Sequence, residues 1–79
     1  MAHKRHWLQD LRRVRGLTLE ALARATDVSL KTVTRWESGV AEPRFNHRLA
    51  LARLLGVEVL HRLYEDSLAA FEAENRQAS

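Results

Sequence analysis

TLEALARATDVSLKTVTRWESG, residues 18–39, is the stretch whose reading decides the fold. Thr18 suits the N-cap of a helix because its hydroxyl can accept from the free amides of the first turn. Ala21 stands where a capping box would need Glu or Gln, so the box is incomplete. Leu22, Ala23 and Thr26 fall on one inward side, and small Ala23 lets a neighbouring helix approach closely. In the turn ATDVS, Asp27 occupies a position that calls for a positive φ, Val28 anchors the turn in the core, and Ser29 caps the next helix. From Leu30 to Ser38, Val33, Trp36 and Glu37 recur at i, i+3 and i+4 and face the body. Leu30, Lys31, Thr34 and Arg35 face away. Gly39 then ends the segment.

Two short helices around a tight turn make a helix-turn-helix, and charge supplies the context. Up to Arg53 there are eleven Lys and Arg against five Asp and Glu, a balance of +6; from Leu54 onward there are two against five, a balance of −3. A polar outer face alone would describe any surface helix. Set in the basic part of the chain, it points to DNA.

The flanking segments read as scaffold. Trp7, Leu8, Leu11 and Val14 lie at helical spacing between Lys4 and Arg15, and Gly16 closes that helix before Leu17 returns to the core. MAHKR reads as a frayed terminus, with a basic arm touching phosphate as the alternative. VAEP is a loop closed by Pro43. Phe45, Leu49, Ala52 and Leu55 form the apolar positions of a fourth helix ending at Gly56. A last helix, Val59 to about Arg76, carries Leu60, Leu63, Tyr64, Ser67, Leu68 and Phe71 as one long stripe. The fold class is all-α, five helices in one domain spanning 1–79, with an extended C-terminal helix.

The 79 residues lie near the smallest size at which one core supports a fold, and the absence of cysteine excludes disulfides and thiolate metal sites. His3 and His6 are three apart, but without an acidic or cysteine partner they do not suggest a metal site, and His47 and His61 are isolated. No cofactor is expected. With no apolar run near the roughly 20 residues of a membrane span and no signal-peptide core in MAHKRHW, a cytoplasmic protein without membrane contact is expected. No nucleotide loop or carboxylate cluster argues for an enzyme.

GLTLEALARATDVSLKTVTRWESG followed by EPRFNHRLALARLLGV resembles the phage repressor and Cro family of helix-turn-helix domains, the XRE type. The resemblance runs from about Leu8 to Leu63 and rests on coinciding features: Gly16-Leu17, Leu22-Ala23, Val28, Val33, Glu37 with Gly39, Pro43, and Leu55-Gly56-Val57. It implies a compact five-helix bundle whose third helix enters the major groove. It also implies a buried ion pair between Arg12 and Glu37, which assigns Arg12 to structure. Carried over position by position, Leu30, Lys31, Thr34 and Arg35 reach bases, led by Arg35. Thr18, Ser29, Thr32, Ser38 and Arg44 hold the DNA backbone.

Several positions depart from the family's pattern. Leu19 stands where a phosphate-binding Gln is common, Asp27 replaces the usual turn Gly, Ser38 replaces an Asn, and Arg48 takes a usually apolar place. The partners expected are double-stranded DNA and a second copy of the chain, bound through Leu60, Leu63, Tyr64, Leu68 and Phe71 on a palindromic operator. Folding of the terminal helix back over its own core is the alternative for that stripe. For function as a whole, the alternative is a protein-binding module, such as an antitoxin that grips a partner through the same helix.

Overall fold

The structure is a computed structural model and describes residues 5–78. Within them the chain forms five helices and no strand: α1 (His6–Val14), α2 (Leu19–Thr26), α3 (Leu30–Ser38), α4 (Phe45–Leu55) and α5 (Glu58–Ala78). The motif at 18–39 forms as its punctuation requires. Thr18 Oγ1 accepts from the Ala21 amide at 3.0 Å, and Ser29 Oγ accepts from the Thr32 amide at 3.2 Å. Asp27 takes the left-handed conformation at φ 58°, with its amide returning to the Ala23 and Arg24 carbonyls. Such a φ is cheapest for glycine, and Asp tolerates it because its short polar side chain can bond locally.

One core joins all five helices: Leu8 from α1, Leu22 and Ala23 from α2, Val33 and Trp36 from α3, Leu51 and Leu55 from α4, and Val59 and Leu63 from α5. Trp36 also meets the His47 ring, with centroids 5.5 Å apart and planes tilted by 46°. Arg15 binds the end of α4, donating to the Leu54 and Leu55 carbonyls at 3.3 Å each. These carbonyls have no partner within their own helix, so the arginine satisfies the helix end and adds favourable charge there.

Three expectations change on contact with the structure. Val14, read as part of the inward stripe of α1, is 81 % exposed, because the last turn of that helix runs past the core. In α4 the core residues are Leu51 and Leu55; Phe45 is 76 % exposed and Leu49 lies at the surface. That helix has apolar residues on more than one side, so spacing alone could not choose between faces. Arg48, at the position usually apolar, is half-buried, donates from Nε to the Pro43 carbonyl at 2.9 Å and pairs with Glu42 at 3.6 Å.

Arg5 is the third change. Although MAHKR reads as a frayed terminus, Arg5 is 4 % exposed. Its amide donates to the Glu37 carbonyl at 2.7 Å, and its guanidinium donates to the carbonyls of Trp36 and Ala41, the latter at 2.8 Å. The same guanidinium pairs with Glu42 and, at 3.1 Å, with Asp66 of α5. One side chain thus joins the start of α1, the end of α3, the α3–α4 loop and the middle of α5. The residues before it, His3 among them, lie outside the described residues.

Arg5→Ala removes the guanidinium bonds to the Trp36 and Ala41 carbonyls together with the link to α5, and should cost about 2–4 kcal/mol in urea unfolding. Asp66→Asn should cost under about 1 kcal/mol, because that carboxylate is more than a third exposed. Equal losses for the two variants would show that the carbonyl bonds are not what Arg5 contributes.

Candidate nucleic-acid interface

The outer side of α3 carries Leu30, Lys31, Thr34 and Arg35, all exposed, while Val33, Trp36 and Glu37 are buried behind them. Lys31 and Arg35 lie one turn apart, and among the described residues neither makes an ion pair. Their charges are therefore available to an anionic partner. Leu30 is 43 % exposed at the start of the same face.

The hydroxyls on this side are already engaged with the helix. Thr34 donates to the Leu30 carbonyl at 3.0 Å and Ser38 donates to the Arg35 carbonyl at 3.1 Å. Each oxygen still has an accepting lone pair. Thr34 can therefore accept from an adenine or cytosine amino group without giving up its bond to Leu30. Ser38 would have to release the Arg35 carbonyl to donate to a phosphate. Ser29 Oγ and Thr32 Oγ1 are 3.0 Å apart, and only one of the two can donate to the other. The remaining hydroxyl hydrogen is free for a phosphate oxygen at the mouth of α3.

A second basic position lies across the loop. Arg44 is exposed at the N-cap of α4 in an extended conformation, and no side chain caps this helix. Arg48 supplies the first amide that returns to the Arg44 carbonyl, at 2.9 Å. The amides before it have no partner within the helix. Guanidinium and open amides together form an electropositive surface.

Behind the outer face, Arg12 Nε lies 2.7 Å from Glu37 Oε2, with both side chains buried. Arg12 Nη2 approaches Glu37 Oε1 at 3.4 Å, and Nη1 donates to the Leu17 carbonyl at 2.8 Å. Glu37 follows Trp36 on the inward side of α3, so the pair fixes the rotation of that helix about its axis. Rotation decides which side chains face outward. Arg12 is thereby occupied in the scaffold and does not reach the outer face.

The stripe on α5 divides in two. Leu63 is wholly buried in the core of a single chain, so it is not available to a second copy, and Leu60 is half-buried against the same core. Tyr64, Leu68 and Phe71 are exposed. After Ser67 none of the described side chains on α5 is buried, so this part of the helix runs on without covering its own core.

A two-helix motif with a buried inner side and a basic outer side defines a helix-turn-helix protein. A helix-turn-helix family model matches residues 8–61, more than half of the chain, and the chain belongs to this family in its XRE, repressor and Cro-like form. The family is one of DNA-binding transcription regulators, and DNA binding in that general sense extends to this chain. No curated protein and no solved structure matches it. No helix among the described residues is long and apolar enough to cross a membrane.

Replacing Glu37 by Gln leaves Arg12 charged and buried without its counter-ion, and should cost about 3–5 kcal/mol in urea unfolding. The double variant Arg12→Met with Glu37→Leu should recover most of that loss, since it removes both charges and keeps the volume. A single variant with the wild-type midpoint would show that the pair carries no stability.

Proposed function

We propose that the chain is a sequence-specific regulator that binds a palindromic operator as a homodimer, with α3 of each copy in the major groove. The observation that carries this reading is the pair of unpaired cations, Lys31 and Arg35, on the outside of a helix whose rotation is held by Arg12 and Glu37. Arg35 is the reader of guanine O6 and N7, a contact worth roughly 1–3 kcal/mol of discrimination. Lys31 reads a neighbouring base or takes a phosphate. Leu30 packs on a thymine methyl, and Thr34 accepts from an amino group. Thr18, Ser29, Thr32, Ser38 and Arg44 hold the DNA backbone.

A nine-residue recognition helix offers few base contacts, and a second copy doubles them. Tyr64, Leu68 and Phe71 supply the apolar surface for that copy, with Leu60 at its edge. Half-sites about one helical turn apart, about 34–36 Å, are the spacing such a dimer would span.

Selection of bound duplexes from a random pool should return a palindrome. Arg35→Ala should lose preference at one base pair per half-site while retaining the wild-type circular dichroism spectrum. Unaltered preference would remove Arg35 from the reading role. Affinity should fall steeply with salt, through release of counterions from the phosphates.

The double variant Leu68→Lys with Phe71→Lys changes only exposed positions beyond the core and should sediment as a folded monomer. It should bind a half-site about as well as one wild-type subunit does and lose the tight binding to the full site. A dimer of undiminished stability would place the interface elsewhere.

A further inference from the structure

Beside the outer face of α3 the surface opens into a cleft of about 240 Å³. Arg5, His6 and Gln9 line it from the start of α1, Leu19 from α2, and Thr34, Glu37 and Ser38 from α3. Thr34 and Ser38 belong to the side of α3 read above as facing DNA, so a backbone strand lying along that side passes over the cleft.

An anion in the cleft needs hydrogen-bond donors, and most of the lining cannot supply one. Arg5 has its guanidinium turned to the Trp36 and Ala41 carbonyls, Glu42 and Asp66. Glu37 is neutralised by Arg12. Leu19 has no polar side-chain atom, and the Thr34 and Ser38 hydroxyls donate to helix carbonyls. What remains is the ring N–H of His6 and the side-chain amide of Gln9, three residues apart on one helical face. His6 is exposed and Gln9 half-buried, and neither side chain is bonded to another described residue.

We propose that His6 and Gln9 form a phosphate clamp on the α1 side of the recognition helix, and that His6 makes this contact proton-dependent. The inference rests on the DNA-binding reading above. Gln9 donates a neutral hydrogen bond at any pH. Neutral His6 donates one as well, and protonated His6 adds a full charge against the phosphate. The charged groups lining the cleft are Arg5 and Glu37, one of each sign, and each is paired elsewhere. A phosphate attracts the protonated ring more strongly than the neutral one. The contact is therefore stronger at lower pH.

The test titrates the intact chain with its selected duplex at about pH 6 and about pH 8, on either side of the general reference value for imidazole, about 6.5. Wild type should bind about threefold more tightly at the lower pH. His6→Ala should lose most of this gain, and at the lower pH its salt slope should be shallower by about 0.9, the value of one phosphate charge contact. His6→Gln keeps a donor without the charge; it should match wild type at the higher pH and show a reduced gain at the lower. Gln9→Ala should weaken binding about threefold at both pH values without altering the selected sequence. A His6→Ala or His6→Gln variant that keeps the full pH gain and salt slope overturns the proton-dependent contact, and an unaltered Gln9→Ala overturns the clamp. If wild type binds duplexes with sequence preference while these variants equal it, the clamp alone falls. If wild type binds no duplex in a salt-dependent way, the DNA reading falls and the clamp with it.

Discussion

A recognition helix of nine residues cannot hold itself, and the main constraint on this fold is that something behind it must. Isolated helices of that length are marginal in water because the cost of nucleation is spread over too few hydrogen bonds. Two arginines of the first segment meet the need at different points. Arg12 grips the Glu37 side chain and sets rotation about the axis, while Arg5 grips the Trp36 and Ala41 carbonyls and sets where the helix ends. Val33 and Trp36 add apolar burial between them. Apolar packing is non-directional, so the two charge-assisted contacts are what give this helix a single orientation.

Holding the helix from behind separates the roles of charge in the chain. A basic composition suggests phosphate contacts, yet Arg5, Arg12, Arg15 and Arg48 all make internal bonds. Lys31 and Arg35 lie exposed on the outer face of the motif, and Arg44 lies exposed at the start of α4. The balance of +6 in the first 53 residues therefore overstates the charge presented to a partner. Much of it is spent on carbonyls and carboxylates at helix ends and in the loop.

What was legible in the sequence was whatever depends on local chemistry. Thr18, Ser29 and Gly39 mark helix ends by the hydrogen bonds and φ values available to them, and Val33, Trp36 and Glu37 mark a face by spacing. Faces became ambiguous where apolar residues surround a helix, as with Phe45 and Leu49 against Leu51 and Leu55. Arg5 was not legible at all. Its partners are backbone carbonyls and carboxylates 31 to 61 residues away, and carbonyls leave no mark in a side-chain pattern. The cleft between α1 and α3 was hidden for the same reason, since His6 and Gln9 become neighbours of Thr34 and Ser38 only once the helices are packed.

The Arg5 contacts also tie the recognition helix to the helix that carries the exposed apolar surface. Asp66 sits on α5 close to where burial ends: Val59 and Leu63 precede it in the core, and Leu68 and Phe71 follow it at the surface. A force that shifts α5 at its exposed end acts on Asp66 first, and through Arg5 on the carbonyls that end α3. The Asp66 carboxylate is more than a third exposed, so its contact is weaker than the buried bond to the Trp36 carbonyl. A displaced α5 would therefore release Asp66 while Arg5 kept its hold on α3. The position of the recognition helix is in this way insulated from movement of the terminal helix.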